Sequence, residues 1–376
     1  MEINVSAPGK VILFGEHSVV YGKLALAASV DLRTTLTIFP SDGNYFKLKF
    51  ESLDVEKKWE VEKLKEIWKD TNHHFIDVKT PTVISDENLK LILNLIGPDD
   101  GASAKSLTVA AFIYLYNILV GEPLPYTFVV KSEAPVGAGL GSSASYSVVA
   151  AAGLWILGEL LHGSTIKSSS ELTEKNLEYI SQWAYVCEKL FHGSPSGIDN
   201  SVCTFGGVLS YQDGQFQHVV IPKDKLRIIL VNSKVSRRTS DQVIKGKNRR
   251  DLLPTVMEHV YNALHATAEE AKLILGRLGE KYDYKRLSEL VEVSHYLLSA
   301  VGAGHPALDE IVKIAAKHKM KSKLTGAGGG GFAFILLPPD VTDQEILSLR
   351  EELMQLRYEC WETVVGGKGV SFEFQN

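Results

Sequence analysis

The stretch "PVGAGLGSSASYS", Pro135–Ser147, follows a run rich in β-branched and aromatic residues, "YTFVVKSEA", and leads into an apolar run, "ASYSVVAAAGLWILGELL". Strand, glycine-rich turn and helix in that order put backbone N–H groups and a helix N-terminus where they face an anion. Serines in such a turn add hydroxyl donors, or ligate a cation that accompanies phosphates. A Walker loop requires a lysine directly after its last glycine. Here Ser142 follows Gly141, so that reading fails. The dinucleotide pattern GxGxx[GA] matches at Gly139, Gly141 and Ala144, but its acid belongs at the end of a second strand about 20 residues on. Glu159 has the offset and sits inside a helical run, which weakens that reading too. Two readings of the loop stay open on its own residues: a phosphate loop that borrows its lysine from elsewhere, and a tight packing turn.

Other segments bear on that choice. "SAPGKVILFGEHSVVYG" places Lys10 after a Pro-Gly turn at Pro8-Gly9 and opens a strand that ends in Gly15-Glu16-His17. A lysine followed by an acid and a histidine in a loop points to a polar cleft. "EKLFHGSPSGIDN" offers two carboxylates, Glu188 and Asp199, around a turn containing Gly193, Pro195 and Gly197. Phosphoryl transfer from ATP needs a magnesium ligand and a group that orients or deprotonates the acceptor hydroxyl, and two separately placed carboxylates can fill those roles. Asp199 reads equally well as a helix N-cap. Glu188 closes a helical run whose buried stripe is Leu177, Ile180, Ala184, Cys187 and Phe191. An acid there opposes the macrodipole and asks for a reason. His17, His162 and His192 lack zinc-site spacing, and GxSxG, HRD and DFG are absent, which disfavours zinc enzymes, acyl hydrolases and protein kinases.

A chain of 376 residues favours two domains, with a boundary expected near residue 225: 1–225 with the glycine loop and both carboxylates, and 226–376. "KSLTVAAFIYLYNILVG" reads as an apolar core helix, "LRIILVNSKV" as a strand, and residues 254–278, 284–301 and 306–318 as helices. A second glycine run, "TGAGGGGFAFILLP", feeds another strand. Apolar residues make up 45% and charged residues 23%, the balance of a globular protein. The net charge of −5 with no basic block argues against a nucleic-acid partner. Cys187, Cys203 and Cys360 form no CxxC pair, which fits free thiols in a reducing compartment. With no signal-like N-terminus and no apolar run of about 18 residues, the expectation is a cytoplasmic protein with no membrane partner.

Taken together, "SAPGKVILFGEHSVVYG", "PVGAGLGSSASYSV" and "KLTGAGGGGFAF" resemble the three motifs of the GHMP small-molecule kinases, in the family's order and across nearly the whole chain. "GEHSVVYGKLALA", "HGSPSGIDN" and "SKLTGAGGGG" look most like the branch that phosphorylates mevalonate. The resemblance implies an α+β fold in two domains, the first like ribosomal S5 domain 2 and the second ferredoxin-like. It implies ATP as co-substrate, Mg²⁺ as cofactor, and transfer to the 5-hydroxyl of mevalonate in the pathway to isoprenoids and sterols. Asp199 would take or orient the hydroxyl proton, with Lys10 beside it. The loop Pro135, Gly137, Ala138, Gly139, Leu140, Gly141, Ser142, Ser143, Ala144 and Ser145, with Lys10, would wrap the nucleotide phosphates. Ser143 and Glu188 would hold the metal, with Ser142 second to Ser143. Lys10, Glu16, His17, Asp199, Arg237, Thr239 and Gly328 would line the acceptor pocket. A homodimer, and feedback inhibition by isoprenoid diphosphates, are implied from the same source. The alternatives are a non-catalytic ligand sensor of the same fold and a kinase of another small hydroxylated acceptor.

Overall fold

The computed structural model describes residues 2–71, 80–97, 103–135, 139–221, 226–236, 239–277 and 281–375. Over these the chain is α+β and is built on two sheets. Strands β1 (Glu2–Phe14), β2 (Ala25–Pro40), β3 (Tyr45–Phe50) and β4 (Val55–Glu60) come first. Three helices follow, α1 (Val61–Thr71), α2 (Asp86–Ile96) and α3 (Ala104–Leu119), then β5 (Tyr126–Ser132). Helices α4 (Ser142–Leu161), α5 (Glu174–His192) and α6 (Ile198–Phe205) lead to β6 (Val208–Gln212), β7 (Gln215–Val219) and β8 (Arg227–Asn232). Next are α7 (Thr239–Leu252), α8 (Pro254–Leu275), α9 (Lys281–Val301) and α10 (Pro306–Lys317). Strands β9 (Lys321–Leu324) and β10 (Phe332–Leu336), helix α11 (Asp343–Gln355), and strands β11 (Glu359–Val364) and β12 (Ser371–Gln375) complete the chain.

The first sheet has eight strands in the order β12-β1-β2-β5-β3-β4, with β6 and β7 continuing from β2. Only β3 and β5 pair in parallel; the other named pairs are antiparallel. The second sheet, β11-β8-β10-β9, is antiparallel throughout. Its central strand β8 is apolar on both faces, and the two faces go to different cores. Ile228 and Leu230 meet Val11, Leu13, Leu26 and Ala28 of the first sheet, with α8 and α9, whereas Ile229 and Val231 meet α10 and α11. The apolar layer between the sheets is therefore continuous, and what protrudes from either side of it is held at a fixed distance from the other.

Two expectations change. The Pro8-Gly9 break is not a turn: β1 runs through it, with Pro8 opposite Arg33 and Gly9 opposite Val30, so β2 carries two extra residues. A bulge of this kind bends the strand that carries it, here β2, opposite the Gly9–Lys10 step of β1. Gly9 suits it because a Cβ would lie 3.0 Å from the Leu140 carbonyl oxygen. Second, a helix long and apolar enough to cross a membrane does occur, α4, and 78% of its apolar window is buried inside the protein, the pattern of a core helix. It lies against β1 and β2, where a Cβ on Gly153 would come within 2.7 Å of Leu36 and 3.4 Å of Val5.

Candidate active site

The lysine absent from the glycine loop comes from β1. Gly141 precedes the first turn of α4 in the left-handed region, at φ 73°, and a Cβ there would sit 2.6 Å from Cγ of Lys10. The Lys10 N–H donates to the Leu140 carbonyl at 2.8 Å. Backbone and side chain of Lys10 are thus both seated on the loop, and this close approach is what the glycine permits. Lys10 Nζ lies 3.1 Å from Oδ2 of Asp199. Lys10 is buried along its stem while Asp199 is 38% exposed, so the pair faces an opening. Asp199 is the second residue of α6, whose N-cap is Gly197, and so occupies the first turn instead of capping it. Its charge faces the positive end of the helix dipole. Asn200 ties this turn to α5 through Nδ2, which donates to the carbonyl and the hydroxyl of Ser181, both at 3.0 Å.

Glu188 has the reason it asked for. Although near the C-terminus of α5, it is 3% exposed and accepts hydrogen bonds from Ser143 Oγ at 3.3 Å and Ser147 Oγ at 3.2 Å. Those serines are four apart on α4 and so share a face. Burial pushes the Glu188 carboxyl up to about 7, with the Asp199 charge adding to it, while the two serine hydrogen bonds and Lys10 pull the other way. His192, one turn on, stands 3.2 Å from Ser143 Oγ and 3.8 Å from the carboxylate. A buried carboxylate with a hydroxyl beside it is an all-oxygen donor set that suits a hard cation such as Mg²⁺, which keeps much of its shell for water and phosphate oxygens.

The remaining loop residues divide. Gly139 (φ 85°) and Gly141 make the turn, Pro135 precedes it, and Ser142 begins α4. Leu140 and Ala144 are wholly buried. The Ser145 hydroxyl is 2.8 Å from Thr34 Oγ1 and 3.2 Å from the Ser142 carbonyl, an anchor between helix and sheet that faces away from the opening. Gly137 and Ala138 lie outside the described residues, as does Arg237.

On the far side of the opening, the second glycine run closes over the loop after β1. The His17 ring nitrogen Nε2 pairs with the Ala327 carbonyl at 2.8 Å, and Glu16 forms a buried ion pair with Lys323. A Cβ on Gly328 would lie 2.2 Å from the Ala303 carbonyl oxygen, and one on Gly329 would strike Gln242. Helix α7 begins at Thr239, which is exposed, and carries Gln242 onto that run and Gly246 alongside His17. Sequence reasoning missed Ser147, His192, Gln242 and Lys323. Ser147 and His192 had a signal, each being four residues from an expected metal ligand on its own helix. Lys323 stands at the head of the run "KLTGAGGGGFAF", but a lysine in a short strand reads as surface.

A lysine–aspartate pair beside a helix N-terminus, with a buried carboxylate one helix away, can hold a polyphosphate and orient a hydroxyl toward it. Comparisons with known proteins point the same way. The family model described as GHMP kinases N terminal domain matches residues 106–207, and that described as GHMP kinases C terminal matches 274–353. Mevalonate kinase of Homo sapiens is 39% identical over 381 residues, covering 98% of this chain and 94% of that protein. Mevalonate kinase of Arabidopsis thaliana is 34% identical, covering 98% and 99%. Among solved structures, Methanococcus jannaschii mevalonate kinase superposes with a TM-score of 0.71 at 22% identity, covering 97% of this chain and 98% of that one. L. major mevalonate kinase in complex with R-mevalonate gives 0.67 at 21%, covering 97% and 96%. At those identities the two structures speak for the fold.

Proposed function

The chain belongs to the mevalonate kinases of the GHMP family, and from that membership we propose that it transfers the γ-phosphoryl group of ATP to the 5-hydroxyl of mevalonate, giving 5-phosphomevalonate and ADP. The observation that carries this reading is the Lys10–Asp199 pair, 3.1 Å apart and seated against Gly141 at the start of α4. In it, the turn before α4 receives the phosphates on backbone N–H groups. Asp199 orients the acceptor hydroxyl and takes its proton as the phosphorus–oxygen bond forms; the bridging oxygen leaves with ADP. Lys10 offsets the charge on the transferring group, which is where positioned cations contribute most. Glu188 and Ser143 would hold Mg²⁺, with Ser142 second, and the ion would supply charge compensation for the phosphates. Glu16, His17, Thr239 and Gly328 form the acceptor side, and Arg237, outside the described residues, would add a guanidinium suited to the mevalonate carboxylate.

The division into 1–225 and 226–376 enters this reading with one amendment, that β12 belongs to the first sheet. Residence in the cytoplasm, homodimerisation and inhibition by isoprenoid diphosphates enter as family traits, to be checked by fractionation, light scattering and inhibition assays. The deciding experiment is ADP release by the purified protein with Mg·ATP, against mevalonate, phosphomevalonate, galactose and homoserine in parallel. Turnover with mevalonate alone is expected. Turnover with another acceptor moves the substrate assignment, and silence on all four with nucleotide still bound replaces the kinase by a ligand sensor.

A further inference from the structure

Lys323 is wholly buried on β9, and its ammonium pairs with the Glu16 carboxylate, whose side chain is 1% exposed. Few lysines are held this way, because removing an ammonium from water is costly unless it is paired. Here the rings of Phe14 and Phe334, with centroids 5.9 and 5.3 Å from Nζ, add their faces to the compensation. The compensation is one-sided: Glu16 Oε2 is buried and has no hydrogen-bond partner among the described residues. A carboxylate oxygen left in that state is expensive, and it marks a place where a donor is missing.

The pair is one of three contacts that run from alternate residues, Lys323, Thr325 and Ala327, to the end of β1 and the loop after it. Lys323 lies in β9, whereas Thr325 and Ala327 follow it, with Gly326 between them at φ 75°. Lys323 reaches Glu16; Thr325 Oγ1 accepts from Ile12 N–H at 3.1 Å and donates to the Ile12 carbonyl at 2.9 Å; and the Ala327 carbonyl meets His17 at 2.8 Å. Gly15 makes the turn between these contacts, at φ 92°, where a Cβ would lie 2.3 Å from the Leu24 carbonyl oxygen. The second sheet thereby grips the strand that carries Lys10 at Ile12, four residues short of the gripped Glu16.

We infer that Lys323 is a positioning residue for the acceptor: by pairing with one oxygen of Glu16 it leaves the other aimed to accept a hydrogen bond from an acceptor hydroxyl, and it fixes the Glu16–His17 loop relative to Lys10. This rests on the kinase reading above. Lys323 touches neither phosphate nor acceptor in this role; it acts through Glu16.

The test uses the full-length K323M and E16Q/K323M variants, with steady-state kinetics in both substrates, binding of a fluorescent ATP analogue, and thermal melting. K323M is expected to raise KM for mevalonate about tenfold or more while KM for ATP and analogue affinity stay within about twofold. E16Q/K323M leaves no charge buried unpaired, so it is expected to melt close to the unchanged protein and to show the raised mevalonate KM of an E16Q single variant, a further rise over E16Q overturning the route through Glu16. The double variant carries the test if K323M does not fold. A mevalonate KM at the unchanged value in either variant overturns the positioning role, as does an equal rise in both KM values. No turnover of mevalonate by the unchanged protein overturns the kinase reading itself, and this inference with it.

Discussion

Asp199 and Lys10 come from segments almost two hundred residues apart and meet at 3.1 Å, and the role given to Asp199 predicts a specific loss. Asp199→Asn keeps the shape and one hydrogen-bonding oxygen but cannot take a proton, so the rate should fall about 10²–10⁴-fold with nucleotide affinity retained; a rate near that of the unchanged protein removes Asp199 as the base. Glu188 makes a different prediction, about stability. Its carboxyl lies near 4.5 when the chain is unfolded and about 7 when folded, with burial the main cause. The folded state therefore binds the proton more tightly. Its contribution to stability is full below the unfolded value and is lost as pH rises through about 7. In chelator, the melting temperature of the unchanged protein should decline across that interval relative to Glu188→Gln, and parallel profiles would refute it. The same variant should need more magnesium for half-maximal turnover, because a neutral amide is a poorer ligand for a hard cation.

At the scale of elements, the contact between β1 and the start of α4 depends on the absence of one side chain. Gly141→Ala places a methyl where Lys10 Cγ now packs and forces a left-handed φ on alanine. The strain is of order 1–3 kcal/mol, and displacing Lys10 by about 1 Å should cost about 10²-fold in kcat; equal kcat with a lowered melting point would show that the lysine position is not decisive. Elements with strong local signals were legible beforehand. Helix α3 spans Ala104–Leu119, shifted slightly from the apolar run of 105–121 that announced it, and the α5 stripe is buried at Ile180, Ala184 and Cys187. Helix α7 was not read as a helix, because in "TSDQVIKGKNRRDL" only Gly246 is buried and no apolar period marks the face it lays against His17. Strand β9 was missed for its length of four residues and its two lysines, one of them in the core. For the site, the glycine turns and carboxylates could be found from residue type. The Lys323 pair, Gln242 and the inward turn of Ser145 arise only when distant segments close on one another.

At the scale of the whole molecule, the apolar layer shared by both sheets joins the two halves into one packing unit, since Val11 and Leu26 on one side and Leu230 and Phe334 on the other belong to the same cluster. Each sheet also has a core of its own on its other face, but the layer they share is exposed on both if one leaves. Urea unfolding should then be a single transition, with tryptophan fluorescence reporting Trp183 in the first half and Trp361, packed on Phe332, in the second. Single-tryptophan variants that report separated midpoints would show the halves to be independent. The return of β12 has a further consequence. Residues 2–6 pair on one edge with β2, but on the other with 371–375. At about 5–20 residues per second, a ribosome needs about 20–75 s to reach that partner. Until β12 has been made, the beginning of the strand that bears Lys10 offers an open edge to any neighbouring nascent chain, and the sheet beneath Lys10 stays incomplete.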